Sequence, residues 1–279
     1  MVSTGTETLV ALGMAATSGT DTGVEYVEGD FRFPIKYGYS LSGIDPEGSL
    51  VHCHHPHQEL VWLREEDIYR VPANVSPTRA ALLSNMETVL NAIWDAGDPF
   101  ESDIVVCGFG NLGALLANTL RLWKGVKPII VEVDVARRSH AISLGFSTVD
   151  PIESRVPCKL IFDTSGCERG LQFCIDTAEL DGTVVTLSWF GRRTVTLKLG
   201  ENFHRNRVRL ISSQVSNIPS HLSASITKLK RKEIAAELLT DISYDYLIAD
   251  PVPFEKAPDL FKALRDGVTS SKPIWILEY

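Results

Sequence analysis

Three glycines in fixed spacing, set between two apolar runs and followed by an acid, are the residues of this chain most suited to chemistry. Ile104 to Cys107 form a short apolar run that enters Gly108-Phe109-Gly110-Asn111-Leu112-Gly113. In such a turn the first glycine permits the sharp reversal, the second lets a pyrophosphate approach the backbone, and the third allows a helix to pack closely on a strand. Leu112, Leu115, Leu116, Leu120 and Leu122 then recur at helical spacing, which directs the free N–H groups of a helix start at the phosphates. A second apolar run, Ile129 to Val133, ends at Asp134. A carboxylate there accepts hydrogen bonds from the adenosine ribose, so Gly108, Gly110, Asn111, Leu112, Gly113 and Asp134 read as a dinucleotide site with NAD as the cofactor. Arg137 and Arg138 follow closely and offer a partner for the extra phosphate of NADP; solvated helix-surface arginines are the plainer reading.

The densest group of metal-capable side chains is His52, Cys53, His54, His55 and His57. Strand alternation sets Cys53, His55 and His57 on one face and His52 and His54 on the other, so the five do not converge. They read as a polar wall of a substrate pocket, with His57 contributing, or as exposed strand residues, with a relocated metal site on part of the cluster as the other alternative. The five cysteines, Cys53, Cys107, Cys158, Cys167 and Cys174, are odd in number, contain no CxxC pair and fall largely in apolar patterns. They read as reduced, buried small residues, without a four-cysteine zinc site.

These residues need a scaffold, and 279 residues with 44% hydrophobic and 22% charged content supply one large or two modest globular domains. A net charge of −8 without a basic stripe argues against a nucleic-acid or anionic-membrane partner. No run of eighteen apolar residues and no signal-peptide pattern occur, so a cytoplasmic location is expected.

Before the glycine turn, Phe31 to Leu41, Leu50 to His54 and Gln58 to Leu63 read as strands, and Pro77 to Trp94 as one helix. Beyond Asp134 the pattern alternates: helix 135–144, strand Leu160 to Phe162, helix 168–179, strand Thr183 to Ser188 and strand Val208 to Ser213. A helix at 222–239, a short one from Ala257 to Asp266 and a last strand from Pro273 to Tyr279 close the chain. Strands alternating with helices imply a parallel sheet with right-handed crossovers.

This order of parts resembles the medium-chain dehydrogenase/reductase superfamily of zinc alcohol dehydrogenases and zinc-free quinone reductases. Val2-Ser3-Thr4-Gly5-Thr6-Glu7 resembles its Ile-Cys-Gly-Ser-Asp stretch, and Phe33-Pro34-Ile35-Lys36-Tyr37-Gly38-Tyr39-Ser40 its Pro-x-x-x-Gly-His-Glu stretch. Phe162-Asp163-Thr164-Ser165-Gly166 is similar to the later Asp-x-x-Gly turn, and Leu187-Ser188-Trp189-Phe190-Gly191 to the loop that passes near the nicotinamide. The resemblance implies an α/β fold: a Rossmann doubly wound parallel sheet over 96–245, and a smaller, shortened GroES-like β-rich catalytic domain from 1–95 and 246–279. It adds Ser165 and Trp189 to the cofactor residues and implies a homodimer through the strand Val208 to Ser213.

The departures from the family are chemical. Its zinc takes a cysteine, a histidine and a cysteine or acid, but Thr4, Tyr39 and a position near Ser84 stand there, and hydroxyls do not replace thiolate and imidazole at neutral pH. No metal is therefore expected. The first strands of the family's catalytic domain have no counterpart before Val2, hence the expectation of a shortened domain. Without zinc, Tyr39 becomes the first choice to hydrogen-bond the substrate oxygen, Thr6 stands where the family's proton-relay serine stands, and Glu87 is available as a base or orienting group. Packed strand aromatic, turn hydroxyl and helix-surface carboxylate are the plainer readings of these three. The expected activity is NAD(H)-dependent, zinc-independent hydride transfer to or from a hydroxyl or carbonyl of a small polar metabolite or ring side chain. An NADPH-dependent quinone or enone reductase and a non-catalytic dinucleotide-binding subunit are the alternatives.

Overall fold

A computed structural model describes residues 1–16, 24, 26–27, 29–97, 103–151 and 156–279. The chain opens with α1 (Thr4–Ala11) and a small antiparallel sheet of β1 (Leu41–Ile44), β2 (Leu50–Cys53) and β3 (Tyr69–Arg70). Two helices follow, α2 (Pro77–Ala80) and α3 (Leu83–Ala96). The main body then alternates β4 (Ile104–Cys107), α4 (Asn111–Trp123), β5 (Ile129–Val131), α5 (Val135–Ser143), β6 (Thr148–Val149), β7 (Cys158–Asp163), α6 (Glu168–Thr177), β8 (Ala178–Thr186), α7 (Asn202–Arg205) and β9 (Arg209–Ser212). The C-terminal part holds α8 (Lys228–Leu238), β10 (Val252–Pro253), α9 (Ala257–Arg265) and β11 (Leu277–Glu278).

The six main strands form one parallel sheet in the order β6-β5-β4-β7-β8-β9. The winding reverses between β4 and β7, and open sheets of this kind bind ligands in the crevice at that reversal. Alternation along β4 explains the layering: Ile104 and Val106 join the cluster of α3 and α4, whereas Val105 and Cys107 join that of α6. A strand buried on both faces needs an unbroken apolar run, and β4 has one.

The chain's two ends meet: Val2 bridges Trp275 antiparallel, Ile248 bridges Ile274, and β10 pairs with β11. No helix among the described residues is long and apolar enough to cross a membrane.

Several expected elements differ. The N-terminal hydroxyl-rich stretch forms helix α1, although its glycine and threonines are poor helix formers; tertiary burial of Leu9 and Val10 overrides propensity. The single helix expected from Pro77 breaks at Ala81–Leu82, where the Leu82 N–H turns to the Arg79 carbonyl. Phe31 to Tyr39 and Gln58 to Leu63 are extended or bent without regular strand pairing, and only Leu41 of the first stretch enters a strand. β8 begins five residues early, α8 starts at Lys228 instead of residue 222, and Leu122 faces solvent rather than the helix's buried face.

Candidate functional site

At the sheet's reversal point lies a groove of about 1120 Å³. Its floor is the turn between β4 and α4. Gly108 takes φ +98°, and a Cβ on it would meet the Ser165 backbone at 3.0 Å. A Cβ on Gly113 would lie 1.9 Å from the Gly108 carbonyl oxygen, whereas one on Gly110 would meet nothing within 4 Å. The first and third glycines are thus needed for packing, and the second keeps space open. Helix α4 starts at Gly110 with no side chain capping its N–H groups, so they remain available to an anion in the groove. This arrangement fits the pyrophosphate of a dinucleotide.

Carboxylate placement corrects the sequence reading. Asp134 caps α5, accepting from the Arg137 N–H at 2.9 Å and from Thr269 Oγ1 at 2.6 Å, and does not border the groove. Its burial opposes ionisation, but the hydrogen bonds of Thr269 and Arg137 prevail and hold its carboxyl below the usual range. Of these two neighbouring acids the one on the groove wall is Glu132, which accepts from the Phe109 N–H at 2.7 Å and the Asp134 N–H at 2.9 Å. Both acids lie about twenty residues beyond Gly113, so spacing alone does not choose between them. The missed signal is capping: an Asp directly before a helix serves the helix's own N–H groups. The arginines divide similarly. Arg138 donates to the Glu132 and Val133 carbonyls and pairs with Asp150 at 3.0 Å, outside the groove, whereas Arg137 borders it.

Opposite the turn stand α1 and the loop after β8. Asn111, Leu112, Ser165 and Trp189 border the groove as expected, and so does Thr6. Asn111 joins the halves: Thr4 Oγ1 donates to its Oδ1 at 2.7 Å, and its Nδ2 donates to the Val2 carbonyl at 2.9 Å. Gly191 (φ +59°) packs so tightly on the α1 exit that a Cβ would sit 2.1 Å from the Met14 carbonyl oxygen. The Arg192 N–H donates to that same oxygen at 2.8 Å.

Tyr39 lies one layer behind. Its hydroxyl donates to Ser3 Oγ, and Ser3 borders the groove. Burial pushes the Tyr39 phenol up to about 12, against the hydrogen bond to Ser3, so it is a neutral donor at physiological pH. His57 Nε2 lies 2.8 Å from Glu7 Oε2, and Glu7 Oε1 accepts from the Ser3 N–H at 2.7 Å. His57 is therefore a support behind α1, not part of the groove wall. Sequence reasoning overlooked Ser3 and Glu7, whose signal was only their place beside the hydroxyl-rich stretch.

Glu87 is not brought to this site. It is buried between α3 and α8, 3.3 Å from Arg231 Nε, 3.6 Å from His54 Nε2 and 3.9 Å from Lys232 Nζ. Burial raises its pKa, but the neighbouring His54, Lys232 and Arg231 outweigh this and hold the carboxyl below its ordinary value.

The residues that the resemblance sets at zinc-ligand positions offer hydroxyls only. Thr4 is bonded to Asn111, Tyr39 to Ser3, and Ser84 Oγ donates to the Tyr39 carbonyl at 2.9 Å. This donor set does not fit zinc. Nor does the histidine cluster converge: His52 Nε2 meets Ser40 and Ser84, His54 faces Glu87, the His55 ring meets the Pro56 carbonyl, and His57 faces Glu7.

By sequence the chain matches no family model and no curated relative. Its fold does match solved structures. A protein from Sinorhizobium meliloti 1021 assigned as a zinc-binding dehydrogenase, with NADP bound, superposes with a TM-score of 0.69 at 16% identity, covering 99% of this chain and 88% of that one. YhdH of Escherichia coli K-12 with bound NADPH gives 0.63 at 20% identity, covering 85% and 80%. An alcohol dehydrogenase of Escherichia coli CFT073 with NADH gives 0.60 at 13% identity, covering 77% of this chain but 63% of that one. Likeness at these identities establishes the architecture, a parallel six-stranded sheet with a small antiparallel sheet beside it.

Proposed function

We propose that this chain, which has the fold of the medium-chain dehydrogenases/reductases, is an NAD(H)-dependent, zinc-independent oxidoreductase acting on a hydroxyl or carbonyl of a small polar metabolite or ring side chain. The observation that carries this reading is the uncapped start of α4 at the floor of a groove whose opposite wall holds the hydroxyls of Ser3 and Thr6. Bound there, a nicotinamide dinucleotide supplies hydride chemistry. The free N–H groups at the start of α4 hold the pyrophosphate, and Glu132 faces the adenosine ribose. Thr6 and Ser3 present hydroxyls to the substrate oxygen, with Tyr39 keeping Ser3 Oγ oriented by a neutral phenol. Trp189 and Ser165 close the nicotinamide end. A homodimer through the exposed edge strand β9 belongs to the same reading.

One observation favours a second reading. Arg137 borders the groove, as Glu132 does, and its guanidinium is suited to an extra ribose phosphate, which supports an NADPH-dependent quinone or enone reductase. Parallel fluorescence titrations with NADH and NADPH separate the two. The first reading expects tighter NADH binding, weakened about tenfold in Glu132→Gln, the value of one hydrogen bond to a charged group. Tighter NADPH binding transfers the assignment to the second reading. Binding without turnover across alcohols and carbonyls would leave a non-catalytic dinucleotide-binding subunit, and no binding of either cofactor would overturn all three.

A further inference from the structure

Beneath the groove lies a cluster of side chains that the proposed reaction does not use. Cys107 ends β4, Asp163 ends β7, and the parallel register pairs these two positions directly. Helix α6 brings Cys174 onto them. The two sulfur atoms and an Asp163 carboxylate oxygen all lie within 4.8 Å of one another, and all three residues are buried.

Asp163 is the unusual member. It is fully buried, yet among the described residues no lysine, arginine or histidine forms an ion pair with it. Neutral donors alone hold it: the Ser165 N–H at 3.0 Å and Ser165 Oγ at 2.6 Å on Oδ1, and Thr186 Oγ1 at 2.9 Å on Oδ2. A buried carboxylate is ordinarily paired or bound to a metal. Hydrogen bonds of this kind are also what orients a metal-binding carboxylate from behind.

We propose that Cys107, Cys174 and Asp163 form a binding site for one soft divalent cation of the zinc or cadmium type. Atoms no further apart than 4.8 Å share a central point within about 2.8 Å of each, so a modest contraction reaches the ~2.3 Å Zn–S and ~2.1 Å Zn–O lengths. Two thiolates and a carboxylate are a donor set that selects zinc-like ions over calcium or magnesium. The Gly170 carbonyl oxygen, 3.8 Å from Cys107 Sγ, is a further oxygen close to the cluster. Cys107 borders the groove, which provides the entry path. A zinc-like ion takes cysteine as the thiolate, so each thiol gives up its proton as the ion binds. Binding therefore releases two protons: the dication and two neutral thiols with one carboxylate become a complex of net charge −1. The bound ion would tie β4, β7 and α6 together under the cofactor turn.

The test uses the whole chain, reduced and stripped of metal, titrated with Cd²⁺ and then competed with Zn²⁺. The expected result is a cadmium–thiolate absorption band that saturates at one equivalent, with two protons released per ion. Cys107→Ser and Cys174→Ser should each remove that tight phase, whereas Cys167→Ser, at the exposed cysteine, should leave it. Thr186→Val keeps all three ligands and should weaken the ion about tenfold. Absence of a stoichiometric band, release of fewer than two protons, or a band that survives in Cys107→Ser and Cys174→Ser would overturn the site. None of these readouts depends on cofactor binding, so the oxidoreductase reading stands or falls separately.

Discussion

Helix α3 has two buried sides, and they are built on opposite principles. Toward α4 and the parallel sheet it offers Leu83, Met86, Leu90 and Ile93, part of one continuous apolar cluster that runs through Leu115, Leu116 and Phe162. Toward the small sheet and α8 it offers Ser84, Asn85, Glu87 and Asn91, all buried and polar. The apolar side gains stability from non-directional area. The polar side depends on the partners its charged and amide groups have, because an unpaired buried charge costs more than the pair contributes. The polar side should therefore be brittle and the apolar side tolerant.

The largest test of that contrast is Arg231→Met. Arg231 donates to Glu87 at 3.3 Å, to Asn91 Oδ1 at 2.8 Å and to the Val215 carbonyl at 2.7 Å, all of them buried or partly buried. Methionine keeps much of the volume but removes the nearest of the three basic groups around the Glu87 carboxylate and leaves Asn91 Oδ1 and the Val215 carbonyl without their donor, and the expected loss is about 3–5 kcal/mol by denaturant unfolding. Adding Glu87→Met should return part of it; a double variant as unstable as the sum of the single changes would contradict the account. Because Glu87 titrates lower in the folded chain than its ordinary value, its stabilisation is complete above the ordinary carboxylate range and is lost as pH falls through the depressed value. Glu87→Gln should accordingly flatten the acid limb of the stability profile.

On the sheet side, Gly113→Ala drives a methyl against the Gly108 carbonyl, a backbone contact that cannot swing away. Thermal unfolding should report a loss of about 1–3 kcal/mol. Gly110→Ala is the sharper companion. Its methyl would meet no protein atom within 4 Å, so the melting temperature should hold while dinucleotide binding weakens, since the methyl occupies the space meant for phosphate. A parallel drop in both quantities would assign Gly110 to packing.

The same contrast decides what the sequence discloses. β4, α4, β5 and their order are readable because a buried apolar strand and an amphipathic helix each impose a period on the residues, and the glycines punctuate it. The N-terminal region follows no such rule. Helix α1 is rich in threonine and holds a glycine, and it is kept in place by the Thr4–Asn111 hydrogen bond and by the loop at Gly191 packed on its exit, which no local pattern announces. Phe31 to Tyr39 has the composition of a strand but pairs with no strand among the described residues, and pairing is non-local. At the site, the glycine turn, Thr6, Ser165 and Trp189 fall on the groove as expected, whereas the choice of Asp134 over Glu132 fails because two acids share nearly the same spacing. Glu87 looks like a helix-surface carboxylate until α8, about 140 residues later, brings Arg231 over it.

The central claim is that the groove over the start of α4 receives a nicotinamide dinucleotide. A crystal structure of the chain soaked with NADH tests it most directly. The account predicts the pyrophosphate against the N–H groups at the start of α4, the adenosine ribose beside Glu132, and the nicotinamide's reactive carbon facing space within about 3–3.5 Å of a substrate atom held by Thr6 or Ser3. An empty groove at saturating NADH, or a dinucleotide bound elsewhere on the chain, would contradict it.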